Sequence, residues 1–239
     1  MQLEIAVTSA LGARTAAEGG ADRIELCAVL ELGGVTPSEG LLERSLEAGL
    51  PISVLVRCRP GDFVYSGDEI DTMVAEARAV VRAGAEGVVV GALTEAGEFD
   101  REATLRMAEA ARQVNPDCKV TFHRAIDTVA EPLRVFQSLL DSGFRFDRVL
   151  TSGTAERAAD GIDTIRRLAE LAPPGLEILA GGGVTVPTIG QLIAAGAGSV
   201  HLSAKVPVLQ RDGSAERYQT DLDTVRAARA AVDAAKAGA

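Results

Sequence analysis

Short runs of β-branched residues alternate eight times with Ala- and Leu-rich stretches of helical period, and few folds accept that pattern. The runs are "LEIAVTS", "DRIELC", "ISVLVRCR", "GVVVGAL", "KVTFHR", "RVLTSG", "LEILAGGG" and "SVHLSAK". Helices are predicted over 11–18, 37–48, 69–83, 101–114, 131–142, 159–172, 187–195 and 221–236. A helix between successive strands carries the chain back to the edge where it began, so neighbouring strands pair in parallel. Glycines recur where a helix gives way to a strand, as in "AEGGAD", "LEAGLP", "VRAGAE", "LDSGF" and "IAAGAG", and supply left-handed C-caps. In "TPSEG", Thr36 is the expected N-cap, Pro37 the first helical residue and Glu39 the closing partner of a capping box.

Eight such units in 239 residues fit an α/β fold of one kind, a single TIM (β/α)8 barrel, whose usual length is about 250 residues. A doubly wound sheet would call for a glycine-rich fingerprint after the first strand, where "VTSALGARTA" supplies only Gly12. No Pro- or Ser-rich linker or low-complexity run divides the chain, so one domain is expected over 1–239. Aromatic residues make up only 3% with no Trp, which leaves the core to Val, Leu, Ile and Ala, the residues that parallel strands and their helices favour.

The formal net charge of -10 argues against nucleic acid or an anionic membrane as partner, since both would repel the surface. No apolar run approaches the roughly 20 residues of a membrane helix. The start "MQLEIAVTSA" has no basic segment leading into a hydrophobic one. A cytoplasmic protein with a small-molecule or metal ligand is expected. Cys27, Cys58 and Cys118 contain no CxxC pair and are expected to be reduced thiols.

Function in such a barrel gathers where the strands end. Glu25 and Cys27 end the second strand, and Arg57 and Arg59 the third, followed by the "PGDF" loop with Asp62. His123 and Arg124 end the fifth, Thr151 and Ser152 the sixth, and His201, Ser203 and Lys205 the eighth. Both histidines of the chain thus fall on strand tails. Residues two apart share a face, which groups Arg23 with Glu25 and Cys27, groups Arg57 with Arg59, and turns Cys58 toward the helices.

Guanidinium groups match carboxylate or phosphate bidentately, so Arg57, Arg59 and Arg124 suggest an anion pocket. Mutual ion pairing of these arginines with Glu25 is the competing account. The "AGGG" turn with Gly181, Gly182 and Gly183 lies where barrel enzymes often bind phosphate through backbone amides, though a tight turn needs no ligand. His123 is a candidate acid or base, oriented by Asp127 or Glu25. Lys205 raises Schiff-base chemistry, but a lysine at the very end of a strand is more often solvated.

The stretches "GGADRIELC", "GGVTPSEGLL", "GDFVYSGDEIDTM", "TFHRAID", "RVLTSG" and "VHLSA" resemble the CutC copper-homeostasis proteins in order and spacing. The resemblance implies a cytoplasmic TIM barrel that takes part in copper homeostasis, with Cu(I) binding reported for some members and dimers or larger assemblies common. It supports Glu25, Arg57, Arg59, Asp62, His123, Arg124, Asp127, Thr151, Ser152, His201 and Ser203 as rim residues, and Cys27 as the cysteine held in a family motif. Relatives often carry cysteine on the first strand, where this chain has Ala6 and Val7, and proline where it has Cys58. Cu(I) prefers two or three soft donors, so copper(I) binding through Cys27 is expected to be weak or absent. Two expectations follow: a copper-homeostasis protein, or an enzyme of lyase, isomerase or hydrolase type acting on a small anionic metabolite, for example a phosphorylated one. In the second, Arg57, Arg59 and the glycine turn hold the anion, and His123 and Glu25 serve as acid and base. A scaffold or binding domain that has lost rim chemistry is a third.

Overall fold

A computed structural model describes residues 1–209 and 215–237. Its centre is a closed barrel of eight parallel strands in sequence order: β1 (Gln2–Val7), β2 (Arg23–Leu26), β3 (Ile52–Leu55), β4 (Gly87–Val90), β5 (Lys119–Phe122), β6 (Arg148–Thr151), β7 (Glu177–Gly181) and β8 (Ser199–Leu202). Around it run α1 (Ala10–Glu18), α2 (Glu39–Leu46), α3 (Gly67–Arg82), α4 (Arg101–Val114), α5 (Pro132–Asp141), α6 (Ile162–Leu171), α7 (Ile189–Ala194) and α8 (Leu222–Ala237). The TIM-barrel expectation is met. No helix among the described residues is long and apolar enough to cross a membrane.

Alternation along each strand separates two environments. Leu3, Ile5 and Val7 of β1, Ile24 and Leu26 of β2, and Ile52 and Val54 of β3 join the large core between sheet and helices. The opposite face points into the barrel and carries buried polar residues, among them Glu4, Arg23, Glu25, Ser53, Thr121 and Ser199. Cys27, Leu55 and Val89 form a separate small apolar cluster on that inner side.

Closure places β1 between β2 and β8, and the register sets Glu4 opposite both Arg23 and His201. Arg23 donates from Nε to Glu4 at 2.5 Å and from Nη2 to Ser199 Oγ at 2.9 Å. The lower half of the barrel is therefore filled by a hydrogen-bonded ionic layer in place of hydrocarbon.

Serine and aspartate caps start the helices where their hydroxyl or carboxylate accepts a free N–H. Ser9, Ser66 and Asp100 do so for α1, α3 and α4, and Ser66 with Glu69 forms a full capping box. At α2 the cap is Ser38 instead of the expected Thr36, with Leu41 N–H donating to Ser38 Oγ at 3.2 Å. The Thr36 hydroxyl is engaged elsewhere: it donates to Glu76 at 2.7 Å and accepts from Arg57 N–H at 2.8 Å.

One element was not anticipated. After β8 the chain forms an antiparallel pair, β9 (Lys205–Leu209) with β10 (Ala215–Thr220), before α8 closes the outer ring. This hairpin begins at the rim, so Lys205 belongs to it and not to a barrel strand.

Candidate functional site

At the C-terminal ends of the strands lies a cavity of about 400 Å³, bordered by Glu25, Arg57, His123, Arg124, His201 and the Gly182–Gly183 turn, with Ser203 and Lys205 at its edge. That is toward the small end of the range for small-molecule sites, about 300–1,000 Å³.

Glu25 lies on β2, one residue before its end, and is 5% exposed. Its Oε2 is buried with no hydrogen-bond partner. Burial lifts its pKa to about 7 against the pull of His201, and the negative charge of Glu4 adds to the rise. Behind it, His201 Nδ1 lies 2.7 Å from Glu4 Oε1. Burial opposes the charge on Glu4, yet Arg23 and His201 outweigh it and hold the carboxyl at about 2. Burial likewise works against protonation of His201, and the carboxylates Glu25 and Glu4 more than compensate, so its pKa is raised.

His123 sits just past β5, 4% exposed, with its ring 4.7 Å from that of Phe63. The Ala125 backbone N–H donates to Nδ1 at 3.2 Å. With Nδ1 accepting, the proton of the neutral ring resides on Nε2. Nε2 is buried and has no partner. Burial, then the charge of Arg57, push the pKa down to about 3, so the ring is neutral at physiological pH. His123 is thus a neutral ring with an unpartnered Nε2–H on a side chain that borders the cavity, which refines the acid-or-base expectation.

Asp127 does not orient His123. The 3-10 turn Arg124–Thr128 swings it away, and its Oδ2 accepts from Arg124 Nε and from Ser152 N–H, both at 2.8 Å. Its Oδ1 accepts from Thr151 Oγ1 at 2.5 Å. Ser152 Oγ accepts from Arg124 Nη2 at 3.0 Å and donates to Ala155 O at 2.6 Å. Asp127, Thr151 and Ser152 therefore form a bracket that aims Arg124 at the cavity. Arg124 lies so close over Gly182 that a Cβ there would come within 3.0 Å of Cζ. Gly182 and Gly183 have φ of 104° and 60°, a conformation that favours glycine. A Cβ on Gly181 would come within 2.5 Å of Leu150.

Arg57 is 4% exposed and spends its guanidinium on Gly34 O at 3.0 Å and Gly61 O at 2.5 Å, leaving Nε unpartnered. Arg59 does not share the cavity with it. β3 ends at Leu55, so strand alternation no longer governs Arg59, which pairs with Glu69 at 2.5 Å and Asp62 at 3.1 Å outside the cavity. Asp62 is likewise a partner of Arg59 and does not line the pocket. Lys205 lays its ammonium 4.4 Å from the Tyr218 ring centroid.

Cys27 is fully buried beneath Leu55, Val89 and Leu30 and does not border the cavity. Burial, with the nearby charges of Glu25 and Glu31, pushes its thiol pKa far up. Among the described residues, the one group of three with metal-ligand chemistry is Glu4, Glu25 and His201, with atoms within 4.8 Å of one another. These are oxygen and imidazole donors without sulfur, and both Glu4 oxygens already accept from Arg23 and His201. The residues present do not fit a Cu(I) centre. Glu4 was missed by reading strand ends alone; the signal available was its place two residues before Ala6, on the inward face of the first strand.

The CutC family model matches residues 1–206. A Homo sapiens protein named as a copper homeostasis protein cutC homolog is 41% identical over 85% of this chain and 73% of its own length. A CutC family protein of Porphyromonas gingivalis is 45% identical over 79% of this chain and 74% of its own. A solved CutC structure from Streptococcus agalactiae superposes with a TM-score of 0.77 at 26% identity, covering 85% of this chain and 98% of that one.

Proposed function

Because this chain belongs to the CutC family, we propose that it serves copper homeostasis, in the cytoplasm, through a small anionic ligand taken into the rim cavity rather than through a tightly held Cu(I) ion. The copper role rests on likeness to the human relative over 85% of this chain. The choice of ligand rests on one observation: Arg124, held by Asp127 and Ser152 at 2.8 and 3.0 Å over the glycine turn, is a preset anion clamp, whereas Cys27 is sealed off.

The test pairs two measurements. An anaerobic Cu(I) titration against a chromophoric chelator is expected to show no competition at micromolar protein, for wild type and Cys27→Ala alike. Small carboxylates or phosphates are expected to raise Tm, an effect lost in Arg124→Ala. A stoichiometric Cu(I) complex lost in Cys27→Ala would overturn the ligand assignment. Copper tolerance of a strain lacking the protein, unaltered by its return, would overturn the copper role.

A second reading is favoured by the presence of Glu25 and a neutral His123 on the border of one cavity: a barrel enzyme acting on the same class of ligand. Turnover of a small anionic metabolite is its test.

A further inference from the structure

Three buried side chains border the cavity with one unsatisfied polar atom each: Glu25 Oε2, His123 Nε2 and Arg57 Nε. Buried polar atoms are almost always paired, so three on one cavity describe the ligand that completes them. Glu25 offers an acceptor. His123 offers a donor, because its Nδ1 is already taken by Ala125 N–H. A metal cation suits Glu25 but not an N–H, and a bare anion suits His123 but not a carboxylate. A neutral carbonyl with an acidic hydrogen on the adjacent carbon suits both. Of the cations at the mouth, Lys205 lies against the Tyr218 ring, and Arg124, with a half-exposed side chain, suits an anionic tail.

We infer that the cavity is a proton-transfer site for a small hydroxy- or keto-carbonyl compound carrying a carboxylate or phosphate, with Glu25 as the base and His123 Nε2–H on the carbonyl oxygen. This rests on the anion-pocket reading above and deepens it. In the step, the Glu25 carboxylate takes the proton from the carbon next to the carbonyl. The C–H electron pair forms a carbon–carbon double bond, and the carbonyl π pair moves to oxygen, where His123 Nε2–H and Arg57 stabilise the enolate. Glu25 then returns a proton to the same carbon and the electron pair on oxygen re-forms the carbonyl. No oxidant or reductant is needed. The cavity-facing carboxyl at about 7 is poised for this near neutral pH, and the neutral imidazole donates without giving up its proton.

The experiment is hydrogen exchange in D2O followed by proton NMR, with dihydroxyacetone phosphate as the phosphate probe, hydroxypyruvate as the carboxylate probe and dihydroxyacetone as the uncharged control. Tm is recorded with each. Exchange at least tenfold above buffer on one anionic probe, and none on the control, is expected; which probe responds identifies the tail. Glu25→Gln is expected to abolish exchange while keeping the probe's Tm shift, and His123→Gln to lower exchange at least tenfold with the shift intact. Glu25→Asp, which keeps the charge but withdraws it, should lose at least tenfold and guards against a folding defect in Glu25→Gln. A probe that raises Tm without exchange overturns the proton-transfer assignment and leaves the anion pocket standing. No Tm shift with either anionic probe overturns both.

Discussion

Glu4 and His201 meet across the seam where β1 pairs with β8, with His201 Nδ1 2.7 Å from Glu4 Oε1. The same carboxylate accepts from Arg23 on the other side, so one side chain ties together three neighbouring strands at the point of barrel closure. Removing one partner of a buried ion pair leaves the others uncompensated. Glu4→Gln should therefore cost about 3 kcal/mol of unfolding free energy in urea at pH 7. Glu4 is held at about 2, below its unfolded value, so its contribution is present above pH 4.5 and fades as pH falls toward 2. The gap between wild type and mutant should shrink over that window; a constant gap would mean that the charge is not what Glu4 supplies.

Glu25 behaves oppositely. Its pKa is raised from 4.5 to about 7, so the folded state binds the proton more tightly than the unfolded chain. Stability from this group is present below pH 4.5 and lost as pH rises through 7, to the extent of about 3 kcal/mol in order of magnitude. Glu25→Gln should consequently melt higher than wild type at pH 8 and about equally at pH 4.5. His123, depressed from 6.5 to about 3, acts in the reverse sense in acid, so the comparison must be between the two proteins at each pH. Equal melting at pH 8 would show that Glu25 finds a partner in solution.

The barrel was legible because strand and helix alternate eight times, with glycine stops after five of the helices, a signal repeated often enough to survive local errors. The site was legible only in part, and the reasons are local. Arg59 was assigned to the Arg57 face on the assumption that alternation runs to the end of "ISVLVRCR", yet β3 stops at Leu55. The sequence offers Asp127 as one of two groups to orient His123, but a 3-10 turn delivers it to Arg124. Glu4 lies inside a strand, where a lone acidic residue carries no spacing signal. The hairpin from Lys205 escaped because Pro207 interrupts its strand pattern and an exposed pair needs no long apolar run.

Thiol reactivity separates the cysteines. Cys27 and Cys118 are fully buried, while Cys58 is half-buried at the edge of the core. Burial raises all three thiols, least restrictively for access at Cys58. Ellman's reagent should modify Cys58 first in the native protein and all three thiols after denaturation. Rapid native labelling of Cys27, mapped by mass spectrometry, would contradict its sealed position and reopen it as a copper ligand.

The Asp127 bracket makes the last prediction. Asp127 and Ser152 already fix the Arg124 guanidinium, so in the proposed anion site it would lose little further side-chain entropy on binding. Asp127→Asn keeps the shape but replaces one charge-assisted acceptor with an amide, so Arg124 is held less firmly and the Thr151 hydroxyl and Ser152 N–H contacts weaken with it. Anion binding read from Tm shifts should weaken about tenfold, approaching the loss in Arg124→Ala, and the double variant should be no worse than Arg124→Ala alone. Additive losses in the double variant would mean that Asp127 acts on the ligand by a route other than Arg124.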